Sequence, residues 1–259
     1  MEYSTPTCRI PNYFTLSSVL LLGAKPSTPK PYRTFATSTT SFHLATKPSS
    51  WSSVNEAATA YHLPDLADAI AAFFRNEDAL VQGQPRTDKL QIWHKVRVQQ
   101  VSYHKSETVL PPQTICAIPP STMNRFGRYN SVIISPGAQS DWPQNGLAGH
   151  SVAQLCMIFC DPCSDSFFAY VHHFIVPQSN STNINSATGM YMLKRAVRGS
   201  GECIGEVIPL ICIHSLAHLI PNFDCEAHSR LTNLSSYELS SEFWLNKYWS
   251  KEFYHALSP

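Results

Sequence analysis

Apolar and polar residues alternate through the middle of the chain. "LQIWHKVRVQQV" puts Ile92, Val96 and Val98 on one side and Trp93, Lys95 and Arg97 on the other, the two-residue period of a half-buried strand. Five more short runs follow: "SVIIS" from Ser131, "SVAQLCMIF" from Ser151, "FFAYVHHFIV" from Phe167, "GMYMLKRAV" from Gly189 and "CIGEVIPL" from Cys203. The third of the six is apolar almost throughout, as a strand covered on both faces would be. Loops rich in Pro, Gly, Asn and Ser separate them. "IHSLAHLIP", from Ile213, reads as a helical turn that closes the strands.

Ahead of the strands the period changes. "SVNE", Ser53 to Glu56, is a capping-box pattern, in which a hydroxyl and a carboxylate three residues apart satisfy two orphan amides at a helix start. That helix stops before Pro64. A second begins at Asp65, with Leu66, Ile70, Phe73 and Phe74 as its apolar stripe. The pair resembles a helix-turn-helix in spacing, but the second helix offers Asp65 and Asp68 where a recognition helix needs basic or amide side chains. Structural packing is the better reading.

The predicted class is therefore α+β. A disordered leader occupies residues 1–50 and a short N-terminal helical hairpin residues 51–85. A mostly antiparallel β module, a small barrel, fills 86–259 and ends in an aromatic closing segment over 224–259. The leader has no Asp or Glu between Tyr3 and Asn55 and carries the proline-rich "KPSTPKPYR". Its apolar run "VLLLGA" is too short to span a bilayer. A transit peptide fits it somewhat better than a signal peptide, and a disordered leader better than either.

Composition narrows the function classes. Net charge is +1 and charged residues make up 14% of the 259, so no global field draws the chain to nucleic acid or to a membrane. Eight cysteines in a chain with an ample core suit free thiols and a reducing, nuclear or cytoplasmic setting. No G-x-S-x-G elbow, Gly-rich phosphate loop or carboxylate pair stands out, so a catalytic residue, a cofactor and a small-molecule substrate are not expected.

Two metal readings are weak. Cys156, Cys160 and Cys163 have the C-x3-C-x2-C spacing of a radical-SAM cluster loop, but the strand-helix alternation of that fold is missing. On one strand Cys156 and Cys160 would lie ~13 Å apart, whereas two sulfurs on one zinc come within about 4.6 Å. His172 and His173 would fall at the wrong end of a hairpin to complete the set. His214, His218, Cys225 and His228 form the second candidate, without the glutamate of a zinc protease. Thiols that act as small apolar side chains are preferred. The remaining candidate is a nucleic-acid face built from Trp93, Lys95 and Arg97, with Arg86, Lys89 and Lys105 nearby, and from Lys194, Arg195 and Arg198 of "KRAVR". The competing reading is a solvated strand face with snorkelling side chains.

Ten segments, read in order, carry a family resemblance. They are "FATSTTSFHL", "LPDLADAIAAFF", "IWHKVRVQQVSYH", "VLPPQTICAIPPS", "GRYNSVII", "WPQNGLAGHSVAQLCMIF", "FFAYVHHFIVPQ", "MLKRAVR", "GEVIPL" and "SSEFWLNKYWSKEFYHAL". Together they resemble the C-terminal region of Plavaka-like fungal transposon proteins, of the Kyakuja–Dileera–Zisupton group. The resemblance implies a non-catalytic accessory module whose partners are DNA or other transposase segments, with strand cleavage left to an upstream acidic nuclease core. It does not require cysteine at 156, 160 and 163 or histidine at 214 and 218. Three of the segments also resemble the SH3-like or BAH-like barrels that accompany transposases and chromatin proteins. A pure protein–protein scaffold and a zinc-binding structural protein are the alternatives.

Overall fold

The computed structural model describes residues 32–77, 89–135, 142–143, 146–160, 166–177, 184–223, 229–232 and 235–258. The first described strands fall inside the expected leader. Strands β1 (Tyr32–Ala36) and β2 (Thr40–Ala45) form a hairpin in which Tyr32 opposes Ala45 and Ala36 opposes Ser41. Phe42 and Leu44 are wholly buried, and Phe35 stacks on both Phe42 and Phe167, with centroids 5.1 and 5.4 Å apart. The leader assignment is thus corrected over 32–45. These strands hide in a Ser/Thr-rich run because only alternate positions of β2 carry apolar side chains.

Next come β3 (Ser50–Ser53), α1 (Val54–Tyr61), α2 (Leu66–Glu77) and β4 (Lys89–Trp93). The capping box is formed as the sequence proposes: Ser53 Oγ accepts from the Glu56 amide at 3.2 Å, and Glu56 Oε2 accepts from the Ser53 amide at 2.9 Å. His62 closes α1 in the left-handed region at φ 55°. Ala57, Tyr61, Leu63, Leu66 and Ile70 turn inward to a cluster with Met157, Phe159 and Phe168 of the sheet. β3 and β4 pair with each other. The helices are therefore a connection between two paired strands and follow the β1–β2 hairpin, not a module ahead of the β region.

The chain continues through β5 (Lys95–Gln100), β6 (Gln113–Ile118), β7 (Arg128–Tyr129), β8 (Ser131–Ile134), β9 (Ser151–Cys160), β10 (Phe167–Ile175), β11 (Tyr191–Arg195) and β12 (Gly205–Pro209). It ends with β13 (Ile213–Ala217), β14 (Leu219–Asn222), α3 (Ser236–Leu239), β15 (Glu242–Leu245) and α4 (Lys251–Ala256). The architecture is mostly antiparallel β. One five-stranded sheet runs β1-β2-β5-β6-β7. A ten-stranded sheet has the path β13-β8-β9-β10-β11-β15-β14, with β12 on β10 and β3-β4 on β9, and curls as a half-barrel. The long β9–β10 hairpin is its spine: one half pairs with β8 and β11, the other with β4 and β12.

"IHSLAHLIP" is strand and not helix. β13 pairs with β8, while β14, one residue later, pairs with β15. His218 lies between them, so a single stretch of chain supplies both ends of the sheet's path. The closing segment is a strand of the sheet as well as a cover, because β15 is bonded to β11 on one side and β14 on the other. Inside the curl, Ile133, Val152, Phe174, Leu193, Leu219, Phe243 and Leu245 form a cluster capped by Phe253, Ala256 and Leu257 of the last helix. A further cluster, including Phe42, Trp93, Val96, Ile115, Leu155 and Ile158, fills the space between the two sheets. Among the described residues no helix is long and apolar enough to cross a membrane.

Candidate functional site

The predicted nucleic-acid face does not assemble. Trp93 ends β4 in the ten-stranded sheet, and Lys95 begins β5 in the five-stranded one. The bend at His94 breaks the two-residue phase, so Trp93 joins Val96 and Val98 in the core. Its Nε1 donates to the Ala45 carbonyl at 2.8 Å and its ring meets the Phe167 edge at 5.1 Å. Lys95 is exposed and Arg97 half-buried. On the other sheet, Lys194 pairs with Glu242 at 2.6 Å. Arg195 donates to Gln154 Oε1 at 2.9 Å and to the Tyr237 carbonyl at 2.7 Å, with its guanidinium over Phe174 and Phe243. Arg198 holds Asp65 Oδ2 at 2.6 Å, while Tyr170 donates its hydroxyl to Asp65 Oδ1. These three arginine and lysine side chains tie elements together. Arg86 lies outside the described residues.

The cysteines and histidines are also dispersed. Met157 opposes Tyr170 and Leu155 opposes Val171, so Cys156 is the extra residue of a β-bulge. The bulge sends Cys156 to the helix side, whereas Cys160 faces the other sheet. Burial pushes the Cys156 thiol well up. Cys163, Cys225 and His228 lie outside the described residues, among which no three His, Cys, Asp or Glu are placed to hold a metal ion. Cys116, Cys156, Cys160, Cys203 and Cys212 are not joined in disulfides.

His214 is buried on β13. The Gln100 amide donates to its carbonyl at 2.6 Å, and Ser215 Oγ lies 3.0 Å from Nδ1. Burial lowers its pKa to about 3, and that of His172 to about 4. An unfolded imidazole titrates near 6.5. The folded state therefore resists a proton that the unfolded state accepts, and this stability is complete above pH 6.5 and lost as pH falls below it. Glu206 and Glu242 sit below their ordinary 4.5 and act only at lower pH. His43, His94 and His218 are shifted the same way as His214. Lowering pH from 7 to 5 is expected to cost about 2 kcal/mol for each fully suppressed histidine, and His214→Gln to flatten the slope. A melting temperature constant over that window would disprove it.

One group of exposed aromatic side chains does assemble, at the end of the sheet's curl. After β15, Asn246 clamps a 3-10 turn (Lys247–Trp249) to the β13–β14 joint: its amide donates to the His218 carbonyl at 2.9 Å, and its Oδ1 accepts from the Tyr248 amide at 3.0 Å. Ser250 caps α4 by accepting from the Phe253 amide at 3.2 Å. Glu252 accepts from Ser102 Oγ at 3.0 Å and from the Tyr103 amide at 2.6 Å, which fixes the helix to the loop after β5. With Phe253, Ala256 and Leu257 inside, the outward positions carry rings. Tyr248, Trp249 and Tyr254 are 57, 45 and 44% exposed. Trp249 lies flat on His218, at 4.8 Å and 3°. From Tyr248 a row runs to Tyr254 at 5.7 Å, to His255 at 5.2 Å and to His104 at 4.3 Å. The Lys247 side chain is buried beneath them, its ammonium 5.7 Å from both tyrosine rings. Lys251, one helical turn before Tyr254 and His255, is exposed, as is Lys105. The surface thus offers π faces with cations beside them.

Residues 14–193 match the family model described as "Domain of unknown function (DUF6830)". The chain belongs to the DUF6830 family. No curated protein and no solved structure matches it. The DUF6830 match ends at Leu193, inside β11, so Tyr248, Trp249, Tyr254 and His255 lie beyond the matched residues, whereas His104 and Lys105 lie within them. A groove of about 440 Å³ lies on the matched part of this DUF6830 chain, lined by His150, Val152, Phe174, Pro177 and Leu193 among others; its side chains are apolar but for His150 and Ser151.

Sequence reasoning singled out the aromatic density of the last twenty residues but not its division into a buried and an exposed set. The signal available was the change from alternation at Phe243 and Leu245 to helical spacing at Phe253 and Leu257, which leaves Tyr248, Trp249 and Tyr254 off both stripes.

Proposed function

We propose that this chain is a non-catalytic interaction module of a transposase-related protein and that it docks its partner through the C-terminal aromatic surface. The observation that carries the reading is the exposed row Trp249, Tyr248, Tyr254, His255 and His104. Exposed aromatic rings gathered in one place mark binding surfaces, and here the backbone beneath them is fixed by three capping or clamping contacts. The transposase relation rests on the ordered resemblance of the ten segments, and the partners it suggests are DNA or other transposase segments in a nuclear or cytoplasmic setting. Within this reading the curled sheet is a small barrel of the SH3-like or BAH-like kind, with the aromatic turn at its rim.

The test is binding by the full chain to single- and double-stranded DNA and, separately, to the acidic nuclease region of a Plavaka-like protein. At least one complex is expected at micromolar concentration, and Trp249→Ala with Tyr254→Ala is expected to weaken it at least tenfold while the melting temperature holds. If none of the three binds, or if binding ignores both rings, the reading falls.

A further inference from the structure

We infer that the occupant of the aromatic surface is a single-stranded nucleic acid, held by stacking of unpaired bases on Tyr248, Trp249 and Tyr254 and by phosphate contacts to the exposed Lys251 and Lys105. The inference rests on the docking role proposed above and names its ligand.

Three observations converge. The first is the form of the surface. The rings stand on a turn and a helix, half exposed, and do not line a closed pocket. A duplex keeps its base faces inside the stack and cannot use such rings, whereas an unpaired base has a free π face of any sequence.

The second is charge. Two exposed ammonium groups, Lys251 on α4 and Lys105 on the loop that carries His104, accompany the row, and a third, Lys247, lies buried beneath the tyrosine rings. Two carboxylates are near. Glu252 is turned inward onto Ser102 Oγ and the Tyr103 amide, which satisfy its oxygens. Glu107 is exposed on the same loop as Lys105. The balance is positive, which suits a phosphate chain and disfavours a basic peptide.

The third is preorganisation. Trp249 is held flat against His218, Tyr248 donates its hydroxyl to the Thr188 carbonyl at 2.6 Å, and the Lys247 ammonium fits where a side chain on Gly189 would collide with it at 2.8 Å. Rings and cation are set before a ligand arrives, which lowers the ordering cost of binding.

The experiment uses the full chain, a fluorescein-labelled fifteen-nucleotide oligothymidine and its duplex with oligoadenine. Anisotropy is expected to show micromolar binding of the single strand at 50 mM salt, at least tenfold tighter than of the duplex. Two phosphate contacts predict a loss of about sevenfold between 50 and 200 mM salt. Quenching of tryptophan fluorescence, absent in Trp249→Phe, is expected on binding. Trp249→Ala or Tyr254→Ala should weaken binding about tenfold each, and Trp249→Phe, which keeps a ring and a foldable core, should retain most of it. Equal affinity for the duplex, indifference to the ring variants, or displacement of the oligonucleotide by polyglutamate at matched charge would overturn the inference, the last by showing that charge alone is read. If the oligonucleotide fails while the nuclease region binds through Trp249, the ligand assignment falls and the docking role stands. If both fail, both fall.

Discussion

A chain truncated after Leu239 is expected to lose its cooperative melting transition. The deletion removes β15, whose four residues pair with β11 on one side and with β14 on the other. It also removes Phe243 and Leu245, both fully buried, and Phe253 and Leu257, buried to within 3%. Truncating one buried Phe or Leu to alanine costs about 2–5 kcal/mol. Losing four such side chains therefore removes on the order of 10 kcal/mol, comparable to the whole stability of a domain. β11 and β14 would be left with unpaired backbone edges, which invite association between chains. Circular dichroism and calorimetry check this directly: a truncated protein that melts within a few degrees of the full chain would show that the tail merely docks on a complete fold.

The second large effect is expected at Gly205. Its backbone needs no special φ, so the constraint is space alone. A Cβ there would lie 1.7 Å from Tyr170 Oη and 2.2 Å from its Cζ. Tyr170 cannot easily withdraw. It is fully buried, its hydroxyl is held by Asp65, and its backbone is in register with Val207. Gly205→Ala is expected to cost about 3 kcal/mol, or about 10 °C in melting temperature at this chain length. Gly199→Ala is the control, since nothing lies within 4 Å of the added carbon. A drop at Gly199 matching that at Gly205 would rule out the close approach as the cause. Asp65 also holds Arg198, so displacement of Tyr170 would disturb the contact between α2's start and the β11–β12 loop.

The local rules of the chain were readable where one rule acted alone. The capping box at Ser53 and Glu56 and the strands at β8, β9 and β10 follow from hydroxyl-carboxylate spacing and apolar runs. The misreadings share a cause: a shift of phase that local pattern does not encode. The bend at His94 carries the chain from one sheet into the other and turns Trp93 inward. The bulge at Cys156 puts Cys156 and Cys160 on opposite faces. The break at His218 makes Ile213, Leu216, Ala217 and Leu219 look helical, because two strand segments of different orientation are read as one. The β1–β2 hairpin escaped for want of apolar content: Thr40 and Ser41 are as buried as Phe42. Of the candidate surface, the aromatic density was visible and its meeting with Lys105 and His104 was not, since these reach it only through the contact of Glu252 with the loop after β5.

The joint at His218 also bears on the order in which this molecule can be made. Among the described residues β14 pairs only with β15, which comes later along the chain than every other strand described in the sheet. During synthesis β8 can be matched by β13 as soon as Ala217 emerges, while β14 must wait, tethered one residue away, for a stretch still inside the ribosome. At the ordinary pace of translation, about 5–20 residues per second, that interval is brief. It recurs in every nascent copy, and it makes Leu219–Asn222 the segment that a chaperone would be expected to shield.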